Sequence, residues 1–197
     1  MQIERFIGGF LDSNGYVIYQ KNGKGCYIID PGYHAERFVA FIEEEGLEPE
    51  GILLTHGHHD HCGAVNKLTD RIGCDVYVHR EDEDLARCRI NKYLEDGQVF
   101  HVGDEELEVI HTPGHTRGGV CFYAGKSRVA FTGDTIFNVD IGRMDLKGGS
   151  EQDMARSLKN VVNKWENDVV IYPGHGDPSS MKKVRQVNTE FLEMIGD

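Results

Sequence analysis

The sequence predicts a layered α/β fold, and three observations carry that reading. Short apolar runs of strand type fall into two groups along the chain. Each group is followed by segments whose apolar residues recur at helical spacing. The 24 glycines mark the turns between them. Strands in runs, each closed by helices, suit packed layers better than a simple alternating βαβ wheel.

In chain order, residues 16–19 and 26–29 read as two strands around the turn Asn22-Gly23-Lys24-Gly25, a hairpin signal. Phe38, Phe41 and Ile42 keep helical spacing between Ala35 and Glu45. Ile52-Leu53-Leu54 is a buried strand, residues 63–72 a helix and residues 75–78 another strand. The second group runs through 99–102, 107–110, 120–123 and 129–131. Ser150 and Asp153 resemble an N-cap and its capping-box partner. Met154, Leu158, Val161, Val162 and Trp165 then line one face of a helix. Residues 169–172 make the last strand, and Met181, Val184, Val187, Phe191 and Ile195 the last helical stripe. The 197 residues suffice for one well-buried domain, expected to span 1–197.

Composition narrows the function. A formal net charge of -12 argues against non-specific nucleic-acid binding, which needs a basic surface. The N-terminal residues have no basic segment followed by an apolar one, so no signal peptide is expected. No apolar run reaches the length of a membrane span. Five cysteines without a C-x-x-C pair make a poor disulfide framework and fit a reducing cytoplasm. The expected partner is a small-molecule substrate, and the oligomeric state is left open.

Ten histidines are present, and four of them crowd into Thr55-His56-Gly57-His58-His59-Asp60-His61. Residues two apart share a face in extended chain but not in a helix, so a strand-end loop presents His56 and His58 together. His59 has the opposite parity and is expected to face away. Asp60 and His61 fall where the chain turns into the next helix. Three more segments repeat the design of strand, tight turn and polar residue. They are His111-Thr112-Pro113-Gly114-His115, Phe131-Thr132-Gly133-Asp134 and Tyr172-Pro173-Gly174-His175. In each, a glycine stands directly before the candidate ligand. Neutral imidazole and carboxylate suit zinc and other borderline metals.

His56, His58, Asp60, His61, His115, Asp134 and His175, together with the Asp30-Pro31-Gly32 turn, make the chain resemble the metallo-β-lactamase superfamily over essentially its whole length. The resemblance implies a four-layer αβ/βα sandwich with metals at one edge of its two sheets. It implies that His56, His58 and His115 hold one metal, that Asp60, His61 and His175 hold a second, and that Asp134 bridges them. Asp30 is expected to buttress a ligand histidine by hydrogen bonding. Asp134 points to the glyoxalase II-like, lactonase-like and nuclease-like branches. The segments 133–137 and 141–146 are similar to the short glyoxalase II-like hydrolases. Only 22 residues follow His175, so the helical C-terminal region that helps full-length glyoxalase II enzymes hold glutathione is not expected here.

The expected activity is metal-dependent hydrolysis, with thioesters such as S-lactoylglutathione as the substrate class and two divalent ions, zinc first and iron or manganese next, as cofactors. Metal binding lowers the pKa of water from ~15.7 to about 7, which supplies a bridging hydroxide at neutral pH. Asp60 is the candidate catalytic residue besides being a ligand. Arg143, Lys147 and Tyr172 are candidate substrate contacts. His34, His79, His101 and His111 are expected to be ordinary. The alternatives are a mononuclear iron persulfide dioxygenase using His56, His115 and Asp134, or a hydrolase of lactones or phosphodiesters.

Overall fold

A computed structural model describes residues 1–196 as two six-stranded sheets flanked by helices. The first sheet is built in chain order from β1 (Gln2–Gly8), β2 (Ser13–Tyr19), β3 (Gly25–Ile29), β4 (Glu48–Leu53), β5 (Val76–His79) and β6 (Lys92–Leu94). Helix α1 (Ala35–Glu45) connects β3 to β4, and α2 (His59–Cys62) with α3 (Val65–Ile72) connects β4 to β5. β3, β4 and β5 pair in parallel, an arrangement that needs such crossovers. The second sheet holds β7 (Val99–Val102), β8 (Glu105–His111), β9 (Val120–Ala124), β10 (Val129–Gly133), β11 (Val170–Pro173) and β12 (Ser179–Ser180). Helices α4 (Glu151–Asn160), α5 (Met181–Val187) and α6 (Thr189–Ile195) follow its strands.

Side-chain alternation along the strands sorts the apolar residues into three cores. Val17, Ile28, Ile52, Leu54, Val76 and Val78 turn outward onto Phe38, Ile42, Val65 and Leu68 of α1 and α3. Their strand neighbours Tyr16, Ile18, Ile29 and Leu53 turn inward and meet Leu107, Val109, Phe122 and Phe131 of the other sheet. On the far face, Cys121, Ala130 and Ile171 pack on Met154, Leu158, Val184 and Phe191. Helix, sheet, sheet and helix therefore stack as the expected four layers. Among the described residues no helix is long and apolar enough to cross a membrane.

The ends of β4, β8, β10 and β11 lie at one edge of the sandwich. Backbone bonds join the sheets there: Val120 donates to the Thr55 carbonyl at 2.8 Å, and Asn14 to the Gly174 carbonyl at 2.7 Å. Tyr16, 2% exposed between the sheets, adds a hydroxyl bond of 2.6 Å to the Pro173 carbonyl.

Two helical stripes are broken where periodicity reads as continuous. The stripe from Met154 to Trp165 is α4 up to Asn160, followed by a 3-10 turn over Val162–Lys164. The stripe from Met181 to Ile195 is two helices meeting at Asn188. Asn188 is fully buried, and its amide oxygen caps α6 by accepting from Phe191 N at 2.9 Å. Its amide nitrogen donates to the carbonyls of Phe137 at 3.1 Å and Asp140 at 2.8 Å. The helix break thus anchors a loop of the site edge. The apolar stripe continues across each break because both pieces pack on one sheet face.

Asn188→Ala removes the cap, takes the donor from the Phe137 carbonyl and leaves the Asp140 carbonyl with Phe137 N alone. It should cost about 2–4 kcal/mol. Urea unfolding of the variant against the parent protein measures this, and a loss below the error of that measurement would mean the loop is held by other contacts.

Candidate metal centre

Four of the seven candidate ligands stand just beyond a strand end, where the chain leaves the sheet. His56 follows β4, His115 follows β8, Asp134 directly follows β10, and His175 follows β11. His58 is still extended, with φ -68° and ψ 146°, and α2 then turns Asp60 and His61 back toward the sheets. The His56 and His58 ring centroids lie 4.9 Å apart, as their even spacing requires. The glycine before His175 has a visible reason: a β-carbon on Gly174 would lie 2.2 Å from Asp134 Oδ1 and 2.6 Å from His61 Cε1.

The hydrogen bonds decide which ring nitrogens face the centre. Buried Asp30 accepts from Thr55 N at 2.7 Å and from Thr55 Oγ1 at 2.5 Å. Its Oδ2 also accepts from His61 Nδ1 at 3.1 Å. Thr55 Oγ1 has spent its proton on Asp30, so it accepts from His56 Nδ1 at 3.1 Å. His115 Nδ1 donates to the Arg143 carbonyl at 2.7 Å, and His175 Nδ1 to the Leu11 carbonyl at 2.9 Å. All four rings thus hold a proton on Nδ1 and turn Nε2 toward the centre. Asp30 is committed to Thr55 and His61, which makes it the expected buttress rather than a ligand.

The presented atoms form two groups. One ligand atom from each of His56, His58 and His115 lies within 4.8 Å of the others, and so do those of Asp60, His61 and His175. Asp134 stands between the groups. Its Oδ1 is 3.4 Å from His61 Nε2, and its Oδ2 is 3.5 Å from both His115 Nε2 and His175 Nε2. His56 Nε2, His61 Nε2 and Asp134 Oδ1 are buried without a hydrogen-bond partner. Buried polar atoms normally find a partner, so three converging orphans match a cation rather than a packing fault. His58 Nδ1 and His115 Nε2 face each other at 2.9 Å, close to the ~3.3 Å expected for two nitrogens on one tetrahedral zinc. The residues present fit two divalent ions.

The charges agree. Burial, then the neighbouring His61 and His115, push His56 well below its ordinary value. Burial would lower His61 too, but Asp134, Asp30 and Asp60 outweigh it and lift it to about 9. His175 is likewise lifted to about 10, burial being overcome by hydrogen bonds to Asp134 and Asp60. Burial opposes ionisation of Asp134, yet His61 and His175 hold its carboxyl below the usual range.

A cleft of about 760 Å³ opens over this centre, lined by His58, Asp60, His115, Asp134 and His175 at its floor. His59 is exposed at its mouth, outside both groups. Arg143 also lines the cleft but is tied to Asp145 by two bonds of 2.7 Å. Two expected substrate contacts lie elsewhere. Lys147 lines a separate hollow of about 100 Å³ with Glu81, Asp84 and Arg117, because the chain turns away after Leu146. Tyr172 alternates inward on β11, and its ring packs between the sheets on Tyr16 and Phe131. His34 and His101 are exposed, while His79 and His111 stack on each other at 4.2 Å and 13°.

Two positioning residues escape a reading of the sequence. Fully buried Asp82 accepts from Gly57 N at 2.9 Å, Thr116 Oγ1 at 2.7 Å and Gly118 N at 2.7 Å. It thereby holds the loops of His56–His58 and of His115 together. Ser13 Oγ donates to Asp60 Oδ2 at 3.1 Å. Neither lies in a motif, since each acts on a distant segment.

Comparison with known proteins identifies the family. The family model of the metallo-beta-lactamase superfamily matches residues 8–175. The hydroxyacylglutathione hydrolase GloC of Haemophilus influenzae is 31% identical, over 84% of this chain and 86% of that protein. The crystal structure of the BLEG-1 B3 metallo-beta-lactamase superposes with a TM-score of 0.89 at 29% identity, covering 96% of this chain and 99% of that one. The protein TTHA1623, solved in a di-iron-bound form, gives a TM-score of 0.84 at 30% identity, covering 94% and 98%.

His61 at about 9 and His175 at about 10 are protonated at pH 7 in the metal-free protein. Ligation needs their lone pairs, so metal binding must release protons and affinity must rise with pH toward these values. Calorimetric zinc titrations in buffers of different ionisation enthalpy should show net proton release at pH 7. Asp30→Asn should weaken zinc about 10–100-fold by loosening His61 and His56. Proton-neutral binding, or full affinity in Asp30→Asn, would contradict the hydrogen-bond assignment.

Proposed function

Because the chain belongs to the metallo-beta-lactamase superfamily, we propose that it is a thioester hydrolase working with two divalent metal ions, zinc first among them. The observation that carries this reading is the Asp134 carboxylate, with oxygens 3.4–3.5 Å from nitrogens of both histidine groups. The Haemophilus relative's name, hydroxyacylglutathione hydrolase, supports the substrate class, and the di-iron form of TTHA1623 supports two ions with iron as the next metal. The complete Asp60, His61 and His175 group favours hydrolysis over a mononuclear iron persulfide dioxygenase, which would need only His56, His115 and Asp134. The five free cysteines favour the cytoplasm.

Bound at this centre, the ions would supply a water of lowered pKa and an electrophile for the substrate carbonyl oxygen. The chain's own residues hold the geometry for that chemistry. Asp30, through Thr55, keeps His56 and His61 in one tautomer. The Arg143 and Leu11 carbonyls do the same for His115 and His175. Asp60, steadied by Ser13, lines the cleft floor and completes the second group. Net hydrolysis forms a carbon–oxygen bond from water and breaks the carbon–sulfur bond. The thiol, with a pKa of about 8.5, leaves with little need of a general acid. No such acid is required of His59.

The metal-loaded protein should therefore cleave a simple thioester, lose that activity to a chelator and regain it with zinc. Asp134→Ala should lower kcat/KM by at least about 10²-fold, more than the loss of a residue that only buttresses a ligand. His59→Ala should stay within a few-fold of the parent protein. Chelator-resistant turnover, or equal damage from His59→Ala, would sink the assignment.

A further inference from the structure

The cleft above the metal centre has a composition that speaks to the rest of the substrate. Its walls beyond the ligands are Leu11 on the β1–β2 turn and Phe137, Val139, Ile141 and Leu146 on the loop after β10. Leu11 is 63% exposed, Val139 56% and Leu146 42%, and Phe10 beside Leu11 is fully exposed. Large apolar side chains gathered at one opening are costly in water and mark a surface that meets an apolar ligand. This opening adjoins the reactive centre, which makes the ligand a part of the substrate itself.

The charges point the same way. Arg143 is the one lysine or arginine among the described lining residues, and Asp145 already pairs one edge of its guanidinium, through Nε and Nη2. Arg5, at the neighbouring rim, is bonded to Asp177 at 3.0 Å and to the Gly176 carbonyl at 3.1 Å. Asp140 and Asp177 also line the cleft. A substrate with several carboxylates would meet acids and already paired cations there. An uncharged one would lose nothing.

We propose that the cleft selects thioesters whose acyl group is uncharged and apolar, and that it discriminates against carriers that bear carboxylates, such as glutathione. The proposal rests on the hydrolase reading for its chemistry, and on the two loops for its selectivity.

Two arms test it with the metal-loaded protein. The first reads binding alone, with a series of neutral alkyl hydroxamates from acetyl to octanoyl, which can ligate the metals and lay their chain on the wall. Kd should fall about two- to fourfold per added methylene, fourfold being full burial. Val139→Asp and Leu146→Asp, both at exposed positions, should each flatten that dependence. The second arm compares kcat/KM for N-acetylcysteamine and glutathione thioesters carrying the same acyl group. The neutral carrier should be favoured by about tenfold or more, the size of one lost or repelled surface contact. A Kd independent of chain length, no effect of either variant, or preference for the glutathione thioester would overturn the proposal. Chain-length-dependent binding with no thioester cleaved would support the apolar wall and sink the hydrolase reading instead.

Discussion

The buried carboxylate of Asp30 is the contact on which the centre depends. It directly follows β3, accepts from the backbone and hydroxyl of Thr55 beyond β4, and accepts from His61 within α2. One side chain thus ties two neighbouring strand ends to a helix and sets the tautomers of two rings. Its backbone is left-handed, with φ 48°, a conformation that aspartate tolerates better than most residues. A buried carboxylate is costly unless its oxygens are satisfied, and here three donors satisfy it. The same bonds leave His56 Nε2 and His61 Nε2 without partners. Stability of the buttress and readiness of the ligands are therefore one arrangement.

The other sheet repeats the device with backbone carbonyls. Arg143 and Leu11, from loops far apart in sequence, each accept the Nδ1 proton of a histidine. Those loops also wall the cleft, through Leu11 and the segment 137–146. The residues that orient the metal centre and those that would meet substrate are consequently continuous. Asn188 anchors the second loop from the far helix layer, so the packing of α5 and α6 reaches the cleft.

Legibility in the sequence followed the range of each interaction. Nine of the twelve strands and the helical faces were legible because burial imposes a period of two or 3.6 residues, whereas β1, β6 and β12 at the sheet edges bury too little to show one. The candidate ligands stood out because histidine and aspartate recur after strand ends with glycine before them. The buttressing role of Asp30 was readable from its turn. Asp82 was not, because its three bonds reach segments 25 to 36 residues away and no local pattern records them. The break at Asn188 was hidden by an apolar stripe that serves one core on both sides. Lys147 and Tyr172 were misplaced for a related reason: proximity in sequence to a ligand does not say on which side of the chain a residue turns.

Anomalous diffraction from crystals loaded with zinc tests the central claim most directly. Two peaks should appear, one amid His56, His58 and His115 and one amid Asp60, His61 and His175, with Asp134 contacting both. A single peak at only one of these groups, or peaks that Asp134 does not touch, would contradict the account of a shared carboxylate between two histidine groups.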